Sequence, residues 1–379
     1  MSEVKLKDIT ISITDGKHGD CRGENDSGYY FVSCKDVYDG LIHYDNARQI
    51  MEDDFLDADK RTKLSANDIL VTNSGTIGRM ALVKDVPETR RTTFQKSVAI
   101  VKPNTDKVLP IYLYYLLQSK VYDFVNSSNG AAQKNLLLST MREFDLEIED
   151  DVNIQHCIAT ILSRYDSLIE NYQKQIKLLE EAAQRLYKEW FVDLHFPGYE
   201  NTKIVDGVPE GWENAKLGDL VEFKRGKTIT KKEVIEGPIP VVAGGINPAY
   251  YCNMSNTAER VITISASGYA GFVKLYYERI WASDCSFIDV STTDFLHFVY
   301  CYLKLKQTSI YNMQRGSAQQ HVYAKDINSL DLCIPIKSVL KSFEGKASKY
   351  FDTISYLQYQ IRLLTEARDR LLPNLLKMK

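Results

Sequence analysis

The chain of 379 residues contains no stretch approaching 18 apolar residues, so no membrane-spanning helix is expected. Its start, MSEVKLKDIT, lacks the apolar core of a secretion signal. Seven cysteines are scattered at Cys21, Cys34, Cys157, Cys252, Cys285, Cys301 and Cys333. No two form a C-x-x-C, which argues against a zinc site and a disulfide framework; reduced thiols in a cytoplasmic protein are the simplest account. The six histidines fall at no metal-ligand spacing. The motifs G-x-x-x-x-G-K-[ST], H-E-x-x-H and G-x-S-x-G are missing. Acidic runs such as Asp53-Asp54 and Glu149-Asp150-Asp151 lie among polar residues and read as surface charge. No catalytic residue, cofactor or metal is therefore expected. Nor is there an excess of positive charge: the formal net charge is −3, so any affinity for nucleic acid must be local or supplied by a partner.

What the chain does have is repetition. QIKLLEEAAQRL (Gln175 to Leu186) returns as QIRLLTEARDRL (Gln360 to Leu371), with eight of twelve positions identical, too many for two unrelated helices. Around the first phrase Ile154, Ile158, Ile161, Tyr165, Leu168, Tyr172, Ile176, Leu179, Ala183, Leu186 and Trp190 recur in steps of three and four, with one irregular step at Tyr172 to Ile176. Around the second, Leu340, Phe343, Ala347, Tyr350, Ile354, Leu357, Ile361, Leu364, Leu371 and Leu375 do the same. Each pattern predicts a helix of roughly 35 residues, about 50 Å long. Phe196-Pro197-Gly198 reads as the stop of the first, Gly345 as a weak point near the start of the second and Pro373 as its end.

The repetition extends beyond the helices. DILVTNSGTIGRMALV (Asp68 to Val83) parallels RVITISASGYAGFVKL (Arg260 to Leu275), and SNGAAQKNLLLSTMREFDLEI (Ser128 to Ile148) parallels QRGSAQQHVYAKDINSLDLCI (Gln314 to Ile334). The chain thus reads as an α+β protein with two mixed domains in tandem, each followed by a long helix, the helices pairing as an antiparallel coiled coil. The expected boundaries are 1–150 for the first domain, 151–196 for the central helix, 197–212 for a linker, 213–336 for the second domain and 337–379 for the distal helix. PGYENTKIVDGVPEGW (Pro197 to Trp212) supplies the linker, being rich in Gly, Pro and polar residues without periodicity.

Three kinds of loop are candidates for contact with nucleic acid. The first is the S-G-x-x-G turn, with Gly75, Thr76 and Gly78 in one copy and Gly268, Tyr269 and Gly271 in the other, each followed by a cation, Arg79 and Lys274. Glycine permits positive φ and close approach, so a phosphate could rest on such a turn; a plain hairpin turn would use the same residues. The second carries Gln133, Lys134 and Asn135, matched by Gln319, Gln320 and His321 with Arg315 just before; Gln, Asn and Arg can bond to base edges, although polar loops are common. The third comprises local cations: Lys17 and His18, Arg90, Arg91 and Lys96, and Lys224, Arg225 and Lys227. Such runs are usually solvated surface, but here they gather in glycine-bearing loops. Asn247-Pro248-Ala249-Tyr250 departs at its third position from the Asn-Pro-Pro-Tyr of DNA amino-methyltransferases and reads as a turn.

QIKLLEEAAQRLYKEWFVDLHFPGYE, the following DGVPEGW and the terminal LLTEARDRLLPNLL resemble the specificity subunits of type I restriction–modification systems, and the repeat order extends the resemblance over essentially the whole chain. The resemblance implies two target-recognition domains, each reading half of a bipartite site on double-stranded DNA. It implies helices that set the spacing and dock two modification subunits; Gln175, Ile176, Leu179, Leu186, Tyr187, Trp190, Ile361, Leu364, Leu371 and Leu375 are the positions that mark these spacer and partner helices. Restriction subunits join in the full complex, and the specificity subunit itself is not catalytic. Two readings compete with this one: a coiled-coil adaptor that does not bind DNA, which would not need paired glycine loops, and a stand-alone DNA-modifying enzyme, which would need a visible cofactor pocket.

Overall fold

A computed structural model describes residues 1–45, 47–128, 135–316 and 319–376. The chain divides into two compact units that both draw on the two long helices: unit 1 is Met1–Ile169 with Arg362–Lys379, and unit 2 is Glu170–Ile361. The two units share one topology. Unit 1 has a four-stranded antiparallel sheet in the order Thr10–Asp15, Val98–Pro103, Ile69–Thr72, Met80–Leu82. Unit 2 repeats it as Lys224–Arg225, Cys285–Asp289, Val261–Ser265, Val273–Tyr276. Ile69–Thr72 and Val261–Ser265 are buried throughout, the pattern of strands covered on both faces.

A second, three-stranded sheet recurs as well. In unit 1 Tyr30–Val32 lies between Arg48–Gln49 and a parallel partner, Thr92–Phe94. In unit 2 Ile239–Val242 lies between Tyr250–Cys252 and a parallel partner, Trp281–Ala282. Finally, the strand opening each unit's mixed domain pairs with the strand that precedes its long helix: Ser2–Lys5 with Asp145–Ile148, and Glu213–Lys216 with Asp331–Ile334. Unit 1 alone inserts the helix Glu52–Thr62, between Arg48–Gln49 and Ile69–Thr72.

Each unit buries one short helix almost completely: Pro110–Ser119, opened by a proline whose fixed φ suits the first turn, and Leu296–Leu305. A long helix then caps each of these. Gln155 Oε1 accepts the Leu109 N–H at 2.9 Å, and Glu344 accepts the N–H groups of His297 and Phe298 at 3.1 and 3.2 Å. Donors that a helix start would leave unpaired are thereby satisfied.

The central helix spans Val152–Phe191 and the distal helix Lys337–Leu375, 40 and 39 residues, both longer than expected. Within unit 1 the first turns of the central helix (Ile158, Ala159, Leu162) share a core with the last turns of the distal helix (Leu372, Leu376). Within unit 2 the last turns of the central helix (Ala183, Tyr187, Trp190) share a core with the first turns of the distal helix (Phe343, Ala347, Phe351, Ile354). The pairing is thus antiparallel in both. In unit 1 it also carries a polar tie, where Asp166 accepts from Tyr115 Oη and from Arg368, each at 2.6 Å.

The buried stripe departs from the expected seam in unit 1. Ile154 and Leu168 are 41% and 38% exposed, while Ala159 and Leu162 are buried. The reason is that the helix faces Pro110–Ser119 as well as its long partner, which widens and turns its apolar face beyond a two-helix stripe. Similarly Tyr187, Phe351 and Leu372 are buried beside the half-buried Leu186, Tyr350 and Leu371.

Two sequence-based expectations about helix ends are corrected. The central helix ends at Phe191, before Phe196-Pro197-Gly198, because Leu194 takes left-handed backbone (φ 63°) and turns the chain there. The distal helix runs through Pro373; the lost N–H affects only the last turn, which buried Leu372 and Leu376 hold in place. The linker is ordered: Ile204–Val205 pairs with Val208–Pro209 around Asp206-Gly207, both at positive φ, and Trp212 is buried 4.8 Å from the Phe196 ring.

Candidate nucleic-acid interface

In each unit the same backbone hydrogen bonds gather four loops at one end of the large sheet. The S-G-x-x-G turn is closed by Gly78 N–H to Thr72 O at 2.9 Å, and by Gly271 N–H to Ser265 O at 2.7 Å. Beside it runs the loop after the parallel strand, held by Asn73 N–H to Ser97 O (3.0 Å) and by Ala266 N–H to Asp284 O (3.1 Å). The cation-bearing loop packs on that segment through Lys17 N–H to Phe94 O (2.7 Å) and Lys227 N–H to Ala282 O (2.9 Å). The fourth loop returns through Leu136 N–H to Asn73 O (2.8 Å) and Val322 N–H to Ala266 O (3.1 Å).

Glycine is required at two of these places for steric reasons. A Cβ on Gly16 would meet Phe94 O at 2.1 Å, and one on Gly226 would meet Ala282 O at 2.5 Å, so the cationic loop can approach only with glycine there. At Gly78 (φ 87°) a Cβ would lie 2.7 Å from Val121 Cγ1. Gly78 and Gly271 are buried, so they shape the turn from within; Gly75, Thr76, Gly268 and Tyr269 form its exposed crest.

The candidate residues separate into groups. Around the unit 1 turn stand Lys17, His18, Lys96, Arg79 and Asn135, the last bridged to Ser74. Lys17 is bound to Asp57 of the inserted helix at 3.1 Å, a contact that raises its pKa, and His18 lies 2.8 Å from Asp15. The same helix fixes the loop elsewhere, with Arg22 holding the Asp54 carboxyl down to about 2. Lys96 and Arg79 are exposed. Arg90 and Arg91 close the 3-10 helix Pro87–Arg91, just before the strand Thr92–Phe94 whose other end leads to Lys96, roughly 15 Å of extended chain away. Arg91 lies over the Tyr29 ring at 5.8 Å, so the structure does not bring these two to the turn. Gln133 and Lys134 lie outside the described residues.

In unit 2 Lys224, Arg225 and Lys227 are exposed beside the turn. Their loop is pinned by Trp281 Nε1–H to Lys227 O at 2.7 Å and by Tyr250 Oη to Ile229 O. Arg315 and His321 exchange both backbone hydrogen bonds at the base of a hairpin that displays Gln319 and Gln320, and Arg315 also bonds Asp326 at 2.9 Å. Lys274 does not match Arg79: strand register places Phe272 there, and the Lys274 ammonium donates to Ile246 O at 3.1 Å above the Tyr276 ring. Burial lowers its pKa, so it anchors a neighbouring loop. Asn247-Pro248-Ala249-Tyr250 leads into the strand Tyr250–Cys252, with Ala249 N–H bonded to Val241 O, as a turn would.

Sequence reading missed Cys34, Ser97, Gly244 and Asp284. Gly75 packs on Cys34 and Gly268 on Gly244, while Cys34 N–H bonds Ser97 Oγ at 3.2 Å. Matching YFVSC (Tyr30 to Cys34) with IPVVAGG (Ile239 to Gly245) would have found Cys34 and Gly244.

Two copies of one scaffold, each bringing a glycine turn and a cationic loop to one sheet end, define a duplicated recognition protein. Among the described residues no group of three His, Cys, Asp or Glu could hold a metal ion. The family model for the type I restriction modification DNA specificity domain matches residues 2–181 and again 209–367. The specificity subunit of the type I restriction enzyme MjaIX of Methanocaldococcus jannaschii is 28% identical over 339 residues, covering 81% of this chain and 76% of that protein. That of the HindI enzyme of Haemophilus influenzae is 22% identical over 363 residues, covering 73% and 79%. The crystal structure of the type I restriction–modification S subunit of M. genitalium shares the fold, with a TM-score of 0.55 at 18% identity over 100% of this chain and 96% of that one.

This chain belongs to the type I restriction–modification DNA specificity family. It is a sequence-specificity subunit rather than an enzyme, and its two tandem domains suit a bipartite site. No described helix is long and apolar enough to cross a membrane.

Proposed function

We propose that each unit reads one half of a bipartite target on double-stranded DNA, through the face built around its S-G-x-x-G turn. The observation that carries this reading is the duplicated hydrogen-bond frame, which holds the same four loops together in both units while their exposed side chains differ. A shared frame with different tips is what two readers of unlike half-sites require. The cationic loops supply phosphate contacts that set register, and the crest of the turn and the hairpin supply base contacts. Unlike a homodimer, a fused duplicate need not read a palindrome. The paired long helices set the distance between half-sites and dock two modification subunits, which carry the methyl-donor cofactor and methylate adenine; restriction subunits complete the nuclease. The setting is the cytoplasm, where seven unpaired thiols persist.

The test is co-expression with the modification subunit encoded beside it, followed by mapping of methylated adenines across the host genome. Two short specified elements separated by a gap of fixed length are expected. One continuous target would overturn the reading.

A further inference from the structure

The frame shared by the two units shows two matched positions at which they differ in charge. Strand register sets Arg225 opposite Ser286 and Asp15 opposite Ala99, so Arg225 of unit 2 occupies the place of Asp15 in unit 1. The matching backbone bonds of Ser97 and Asp284 put a carboxylate in unit 2 where unit 1 has a hydroxyl. Unit 2 therefore sets an arginine and an aspartate together at the centre of its face. Arg225 Nη2 lies 3.5 Å from Asp284 Oδ1, with side chains 61% and 28% exposed. Ser267 of the S-G-x-x-G turn donates to the other oxygen, Oδ2. Asp15 of unit 1 is instead closed off by Arg61 and His18 and leaves only 9% of its side chain exposed.

A carboxylate in a cation-bearing face repels phosphate, so it weakens non-specific affinity and calls for another role. A carboxylate has about four acceptor sites, and one hydroxyl with one long arginine contact leaves acceptor capacity facing outward. The guanidinium is exposed and oriented by its partner. In the major groove arginine donates to guanine O6 and N7, and aspartate accepts the cytosine N4 amino group.

Resting on the reading of this face as a DNA interface, we infer that Arg225 and Asp284 together specify one G·C base pair in the half-site read by unit 2. Arg225 donates to the guanine, and Asp284 holds Arg225 in place while accepting from the cytosine. Ser267 fixes the rotation of the carboxylate. Unit 1 has no such pair and does not share this preference.

The test uses the whole complex, with adenine methylation mapped genome-wide for the wild type and for Arg225→Gln, Asp284→Asn and the double variant Lys224→Gln/Lys227→Gln. Discrimination at a single G·C position should fall by about tenfold or more in both single variants, with the other half-site unchanged. Asp284→Asn should newly admit adenine there, since Asn bonds adenine N6 and N7. A uniform loss across all sites, with base preference intact, would show the pair to be a clip between two loops and overturn the inference while leaving the interface in place. If all three variants methylate as the wild type does, the interface reading falls with it.

Discussion

Leu372 lies far along the chain from the sheet of unit 1, yet it is buried in that unit's core together with Ile158, Leu162 and Tyr115. Replacing it by alanine removes about three carbon atoms. At roughly 0.8 kcal/mol per buried CH₂ the transfer loss is about 2.4 kcal/mol. A cavity term of up to about 2 kcal/mol adds to this, because Ala159 and Leu376 are held by helices that cannot close on the gap. The residual exposure of Leu372 is small, 8%, and trims the figure little. An expected cost of about 2–4 kcal/mol corresponds to a roughly 30- to 700-fold loss of amide-exchange protection. Hydrogen exchange read by mass spectrometry should locate this loss in Ile69–Thr72 and Val98–Pro103 of unit 1. The strands of unit 2, Val261–Ser265 and Cys285–Asp289, should keep their protection. Equal loss in both units, or loss confined to the last helical turns, would refute the claim that the distal helix completes unit 1 and not unit 2.

Two further variants probe the interface of unit 1. Asp57→Asn releases the Lys17 ammonium, so the salt dependence of DNA binding by the complex, followed by fluorescence anisotropy, should steepen by about 0.9 in log–log slope; an unchanged slope would mean that Lys17 does not reach a phosphate. Gly78→Val places a branched side chain at φ 87° against Val121, at a cost of about 1–2 kcal/mol for the backbone and about 1–3 for the clash. Methylation should then lose dependence on the half-site read by unit 1, with subunit assembly kept, and normal reading of both half-sites would remove the turn from the interface.

Much of this molecule is legible in its sequence because the duplication acts as an internal control. The repeated phrases expose the two long helices, and the paired S-G-x-x-G turns point to the faces that the structure assembles. Other features escape for physical reasons. The exact buried stripe of the central helix depends on Pro110–Ser119 packing against it, a tertiary contact that periodicity does not carry. Lys274 looks like a partner of Arg79 by proximity to the turn, but strand register moves it to another position and its ammonium to a carbonyl. Lys17 looks free until the helix Glu52–Thr62 brings Asp57 to it. A longer connection between Met80–Leu82 and Thr92–Phe94 in unit 1 than between Val273–Tyr276 and Trp281–Ala282 in unit 2 shifts the spacing between the copies, which hides the correspondence of Ser97 with Asp284 from a simple alignment.

Two units that read separate half-sites at a distance fixed by the helices tie the gap in the DNA target to the length of those helices. Seven residues of helical sequence inserted both between Ile169 and Glu170 and between Ile361 and Arg362 keep the heptad register of each helix and add about 10.5 Å at 1.5 Å per residue. Mapped by adenine methylation, the gap between half-sites should lengthen by about three base pairs, at roughly 3.4 Å per pair, with the bases read in each half unchanged. A gap of the original length, or altered bases within the half-sites, would contradict this reading.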